Sequence, residues 1–368
     1  EGTVDAMVWA TGGRFVTRTV TGPLPGMKVE ARFGFLGDGT TAVIEMAAAS
    51  GLHLLAPEQR NPLRTTTYGT GELLRAAVEL GAKRIILGIG GSATVDGGLG
   101  AVQAWGAQIE LGNGNTYGPR DRKLTGADVG SVLSIAMPQT HQKVQGRRKI
   151  AGEPPMPFGA VPADAMPALA LPGPAQTKAA PTEIIVACDV SNPLVGPSRA
   201  ARIFGPQKGA TDRQVDDLDR ALRLLAQRTG MVKLAETPGA GAAGGLGFAM
   251  LAFFGATLQS GIDIVLDATR LRERLEGADL CITAEGRFDA QSLAGKATIG
   301  VARLCKEVGV RCVVLAGSIG LGVEAALAEG VTAWFGVCNS PMTLEQAIAE
   351  APQLVSETAA NVLRVVGP

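Results

Sequence analysis

The chain has 368 residues, of which 46% are hydrophobic and 18% charged, ordinary proportions for a packed globular protein and a length that favours two domains. Lys and Arg number 34 and so do Asp and Glu, and this zero net charge excludes a global field that would draw the protein to nucleic acid or to an anionic membrane. Aromatics make up only 4% while glycine reaches 50 residues, which suits an α/β fold with many tight strand-to-helix turns.

In chain order, residues 15–20 and 28–35 alternate apolar and polar side chains and read as strands. Asp38-Gly39 then turns the chain into a third strand over 42–46. From Gly69 the period changes. Leu73, Leu74, Ala77 and Val78 form one helical face, Gly81 caps it, and residues 84–88 are a short buried strand. A Gly-rich loop and a helix near 98–107 follow. Residues 138–181 differ in kind: repeated prolines break them, and 143–149 is a basic cluster, so the stretch reads as a surface insertion within the first domain. Residues 183–189 are a buried strand ending in a carboxylate. Thr211 with Gln214 three residues later is a capping-box pattern opening a helix whose core face is Val215, Leu218, Leu222 and Leu225.

Residues 237–262 carry no charge, but only 246–258 is continuously apolar, which is too short to span a bilayer and fits a buried helix. After Asp279 strands and helices alternate: strands over 280–283, 311–316 and 331–337, helices over 299–308, 323–327 and from 344. Such alternation predicts a parallel sheet with helices on its faces. Pro352 is expected to break or kink the last helix. The cysteines (Cys188, Cys281, Cys305, Cys312, Cys338) contain no C-x-x-C pair and, with only two histidines, point to a reducing, cytoplasmic setting and not to a metal site. No leader pattern opens the chain at Glu1, and the lack of an initiator Met points to residues upstream.

Four polar stretches follow apolar strands, where open α/β sheets bind ligands. The first contains Gly90, Gly91, Ser92, Ala93, Thr94, Asp96, Gly97 and Gly98. Its glycines let backbone N–H groups approach a phosphate, the next helix offers a positive dipole end, and Asp96 offers a carboxylate for Mg²⁺. The second, 186–194, puts Asp189 at a strand end beside a turn stiffened by Pro193, where a carboxylate can accept a hydroxyl proton or bind metal. The third, 204–210, holds Lys208 before the capped helix and suits a phosphate contact. The fourth, 282–291, clusters Glu285, Arg287 and Asp289 directly after a buried strand, with Gly295-Lys296 beyond. The G-x-G-x-x-G at 239–244 follows Pro238 and not a strand, so it fails as a dinucleotide fingerprint and is left to line a cleft or to admit close helix packing.

Together these stretches resemble the bacterial-type glycerate kinase family, through the runs 42–52, 66–72, 90–98, 187–194, 204–210, 238–247 and 283–291, which occur in the family's order. The resemblance implies ATP- and Mg²⁺-dependent phosphorylation of D-glycerate to 2-phosphoglycerate. It also implies two α/β domains with the active site in the cleft between them: a central domain over 1–271, and a flavodoxin-like domain over 272–368 completed by an upstream segment. In role terms Asp189 is the base. The 90–98 loop holds phosphate, Lys208 and Arg287 neutralise developing charge, and Glu285 or Asp96 positions Mg²⁺. Glu45, Ser50, Asn192, Asp289 and Gln291 are the substrate-binding candidates. The sequence departs from the family pattern at Val95, where Asn is usual, at Ala284, where Gly is usual, and in the Pro-rich insertion. Glu1-Gly2-Thr3 matches the end of a family acidic-Gly motif, so the first strand and a Ser/Lys-bearing loop are expected upstream. The competing readings are a truncated, non-catalytic protein that binds nucleotide or a sugar acid, and an NAD-dependent oxidoreductase. The latter has only loose glycine patterns behind it and no His or Lys placed for the proton of hydride transfer.

Overall fold

A computed structural model of the protein describes residues 2–138, 182–196, 199–293 and 297–367. The Pro-rich stretch beyond Pro138, with its basic cluster, and the Gly295-Lys296 pair lie outside these residues. The chain divides into two compact units, Glu1–Gly261 and Ile262–Pro368.

In the larger unit, β1 (Arg14–Thr21), β2 (Lys28–Phe35) and β3 (Thr41–Glu45) pair antiparallel in succession. The predicted turn between β2 and β3 is held by Asp38, whose Oδ1 accepts the Thr40 and Thr41 N–H groups at 2.8 Å each. β4 (Arg84–Gly88) joins β3 in parallel, and its consecutive Ile85, Ile86 and Leu87 are all buried, as befits a strand covered on both faces. A small antiparallel sheet follows, from β5 (Gln108–Leu111), β6 (Thr116–Tyr117) and β7 (Val132–Ala136). β8 (Glu183–Ala187) and β9 (Thr257–Gln259) then extend the main sheet in parallel, giving the order β1-β2-β3-β4-β8-β9.

The helices carry the predicted faces. Tyr68–Glu79 buries Leu73, Leu74 and Ala77 and ends at Gly81, whose N–H donates to the Val78 carbonyl. Asp212–Arg228 opens with the Thr211/Gln214 capping box and buries Val215, Leu218, Leu222 and Leu225. Ala242–Phe254 is apolar on nearly every side and buried accordingly. Among the described residues no helix is long and apolar enough to cross a membrane.

The smaller unit is a parallel sheet of β10 (Leu280–Phe288), β11 (Arg311–Ile319) and β12 (Val331–Gly336), as the alternating pattern predicts. In β11, Cys312, Val314 and Ala316 enter one apolar cluster with Phe288 and Ile299, while Val313 and Leu315 enter another with Leu354 and Val362. This period of two means that both faces of the central strand are covered. Pro352 acts as predicted: one helix ends at Ala349 and the next, Ala351–Val366, starts with the proline in its first turn. Two readings need correction. Residues 323–327 form a 3₁₀ turn, too short for an α-helix. β10 is neither buried nor finished at Thr283. It runs to Phe288, its one fully buried residue, paired with β11 from Leu280 onward and with alternate side chains left open.

Candidate functional site

The carboxyl ends of four parallel strands lie in one register row, Glu45 beside Gly88, Gly88 beside Ala187, and Ala187 beside Gln259. The loops leaving β4 and β8 therefore start side by side, bringing the 90–98 loop and the Asp189 segment together at one sheet edge. The Gly-rich loop is tied down at its start. The Leu52 N–H donates to the Gly91 carbonyl at 2.8 Å, and the Ala93 N–H donates to the Ser50 carbonyl at 2.9 Å. Gly90 and Gly91 are exposed, Ser92 is 9% exposed, and residues from Ala93 to Gly98 are buried.

Asp96 does not fit the magnesium role read from the sequence. It is fully buried, and Oδ2 accepts the Thr67 N–H at 2.7 Å, the Thr67 hydroxyl at 2.8 Å and the Gly100 N–H at 3.2 Å, while Oδ1 accepts the Gly98 N–H at 3.1 Å. Burial pushes its carboxyl above the usual range, and the hydrogen bonds from Thr67, Gly100 and Gly98 partly offset that. The carboxylate also corrects the dipole argument. It already occupies the start of Leu99–Trp105, a helix of only seven residues, so that end is not free for phosphate. Thr67, for which the sequence assigned no role, anchors this arrangement, because its Oγ1 also accepts the Ala101 N–H at 2.9 Å.

Lys208 is likewise not an exposed phosphate contact. It is 2% exposed, and Nζ donates to Ser92 Oγ at 2.7 Å and to the Thr94 carbonyl at 2.8 Å. Burial holds its ammonium down to about 7, with the Asp96 charge acting the other way. The unfolded lysine keeps its proton up to the ordinary 10.5. Between about 7 and 10.5 the unfolded state binds more protons than the folded one, so this group makes stability rise with pH. We expect a gain of about 2 kcal/mol from pH 7 to pH 9 that Lys208→Met lacks. Urea titrations of both proteins at the two pH values check this.

The glycine run set aside as a failed fingerprint packs directly on the 90–98 loop. Ala243, Gly244 and Gly245 take left-handed backbone angles (φ 53, 65 and 96°), and the Gly97 N–H donates to the Gly244 carbonyl at 3.0 Å. A Cβ on Gly244 would stand 2.1 Å from the Thr94 carbonyl oxygen, so only glycine permits this approach. Gly244→Ala is expected to lower stability by about 3 kcal/mol through that backbone clash, measurable as a fall in urea midpoint at constant slope.

Around this loop the structure places the other candidates in the larger unit. Asp189 is exposed, and its Oδ1 accepts the Gly261 N–H at 2.8 Å, which aims the carboxylate without consuming it. The Asn192 carbonyl accepts the Gly241 N–H at 3.0 Å and joins the Asp189 turn to the glycine run. Glu45 is half-buried, and its Oε1 accepts the Thr3 N–H at 2.9 Å. The Ser50 hydroxyl is buried against Thr70 Oγ1 at 2.9 Å, which makes it a structural partner of the loop and leaves no face for substrate.

In the smaller unit, Glu285, Arg287 and Asp289 belong to β10 and its end. The Arg287 guanidinium is exposed and donates from Nε to Asp289 Oδ2 at 2.7 Å, while Asp289 Oδ1 accepts the Gln291 N–H at 2.9 Å. Asp289 thus orients both neighbours. Glu285 keeps a buried Oε1 with no hydrogen-bond partner among the described residues, an uncommon condition for a carboxylate oxygen. A hard cation bound by oxygen would complete it.

A sequence profile of the glycerate kinase family matches residues 1–151 and 172–367. The chain belongs to the glycerate kinase family. It is 41% identical to a glycerate kinase of Bacillus subtilis (strain 168), over 98% of this chain and 85% of that protein. Against a glycerate 2-kinase of Escherichia coli (strain K12) it is 43% identical, with the same shares covered. The solved structure of a chain assigned as glycerate kinase 2 from Salmonella typhimurium LT2 superposes with a TM-score of 0.75 at 43% identity, covering 98% of this chain and 85% of that one. As a glycerate kinase family member the protein keeps the mixed α/β architecture, and Thr67 and Gly244 are the site-supporting residues that motif reading passed over. The signal available for Gly244 was a glycine run with no strand before it.

Proposed function

We propose that the protein transfers the γ-phosphoryl group of ATP to a hydroxyl of D-glycerate, yielding 2-phosphoglycerate and ADP. The observation that carries this reading, beside the family membership, is the neighbouring origin of two loops: the Gly-rich loop after β4 and the exposed Asp189 carboxylate after β8. A phosphate cradle next to a free carboxylate is what phosphoryl transfer to an alcohol requires, because catalysis there is positioning, charge neutralisation and one proton transfer.

In this reading Asp189 accepts the glycerate hydroxyl proton as the hydroxyl oxygen bonds to the γ-phosphorus, and the bond to the bridging oxygen breaks to release ADP. The exposed end of the 90–98 loop holds nucleotide phosphate. Arg287, steadied by Asp289, supplies positive charge, and Asn192, Glu45 and Gln291 are proposed to face the glycerate. Glu285, through its Oε1, would hold Mg²⁺, which would supply positive charge to offset the negative charge of the phosphate oxygens. Asp96, Ser50 and Lys208 support the loop in place of touching the ligand. Neither a non-catalytic binder nor an NAD enzyme is favoured by the family membership.

Two measurements test the proposal. ADP release should require both ATP–Mg²⁺ and D-glycerate; release that ignores glycerate would count against it. Glu285→Gln, nearly isosteric and uncharged, should weaken Mg²⁺ activation by about tenfold to a hundredfold at unchanged melting temperature. An unaltered Mg²⁺ titration would remove Glu285 from the metal site.

A further inference from the structure

We infer that Lys208 is a positioning residue that turns the Ser92 hydroxyl outward as the loop's hydrogen-bond donor to a nucleotide phosphate oxygen. The inference rests on the kinase reading and goes further, by naming which hydroxyl of the loop meets the ligand and what aims it.

The loop carries two hydroxyls, and the structure separates them. Thr94 is 0% exposed and its Oγ1 is buried with no partner among the described residues, so it faces the interior. Ser92 stands at 9% exposure next to the exposed Gly90 and Gly91. In its ammonium form Lys208 has donors and no acceptor, so the 2.7 Å contact from Nζ to Ser92 Oγ then runs one way. The Ser92 oxygen accepts there, and its own proton is left to point elsewhere. The flanking backbone is committed as well, because the Ala93 N–H donates to Ser50 and the Gly91 carbonyl accepts from Leu52. The second Lys208 bond, to the Thr94 carbonyl, fixes the turn that presents Ser92. A phosphate at Ser92 favours the ammonium form of Lys208 by its negative charge, and the ammonium in turn strengthens the hydroxyl as a donor through the charge-assisted bond it makes.

The test is a double-mutant cycle on ATP affinity, read by calorimetry with Mg²⁺ present, alongside steady-state KM values for ATP and D-glycerate. Ser92→Ala and Lys208→Met should each weaken ATP binding by about tenfold, and the double variant should bind no more weakly than Lys208→Met alone. Ser92→Thr, which keeps the hydroxyl, should restore affinity to within about threefold of the parent, and the D-glycerate KM should stay within about twofold throughout. Effects that multiply in the double variant would overturn the inference, as would a loss confined to D-glycerate. Should Lys208→Met fail to fold, the contrast between Ser92→Ala and Ser92→Thr decides alone, and equal affinities would overturn it. A parent protein that binds no ATP and turns over no glycerate would instead strike at the kinase reading itself.

Discussion

Asp189→Asn should lower kcat for glycerate phosphorylation by about a thousandfold while leaving the fold as it is. The amide cannot accept the hydroxyl proton, and general-base catalysis of this kind contributes about 10²- to 10⁴-fold. Stability should change by less than about 0.5 kcal/mol, because the side chain is exposed and the bond it accepts from the Gly261 N–H is equally available to an asparagine carbonyl. The contrast between a large kinetic and a small thermal effect is the diagnostic feature. A variant with near-parental kcat would show that the proton goes elsewhere.

Asp96→Ala should do the opposite, damaging the fold first and activity as a consequence. The substitution leaves the Thr67, Gly98 and Gly100 N–H groups and the Thr67 hydroxyl without their common acceptor, in a place where Asp96 is 0% exposed. Each stranded buried donor costs about 1–3 kcal/mol, and partial relaxation brings the expected total to about 4 kcal/mol. At the size of this unit that corresponds to a melting temperature lower by about 10 °C. Asp96→Asn should recover little of this, because its NH₂ group would face donors already converging on the site. Excess Mg²⁺ should not rescue either variant. A protein with parental melting behaviour and a shifted Mg²⁺ requirement would restore Asp96 as a metal ligand and contradict the scaffold assignment.

What could be read before the structure was local in origin. Capping at Thr211, the turn at Asp38, the buried run of β4 and the proline break at 352 depend on residues a few positions apart, and each forms as predicted. The strand-end placement of Asp189 and of the Gly-rich loop was legible for the same reason, since strand periods and glycine spacing are local signals. The partners of a buried charge are not. Lys208 meets Ser92 across 116 residues and Thr94 across 114, so nothing near it in sequence separates a solvated lysine from one sealed inside a loop. Asp96 and Thr67 are 29 residues apart, and a carboxylate that caps distant backbone looks in sequence like one that binds metal. β10 was read short because its charged residues looked like a loop. Charges at alternate positions, Glu285 and Arg287, are compatible with a strand that leaves one face exposed.

The central claim, that this chain is a working glycerate kinase, is tested most directly by mixing the purified protein with ATP, Mg²⁺ and D-glycerate and following ADP together with the phosphorus NMR spectrum of the product. The account predicts one ADP formed for each new phosphomonoester, the ester sitting on the 2-hydroxyl, and no product when D-glycerate or ATP is left out. ATP consumed without a glycerate phosphate, or no reaction from a folded protein that binds ATP, would contradict it.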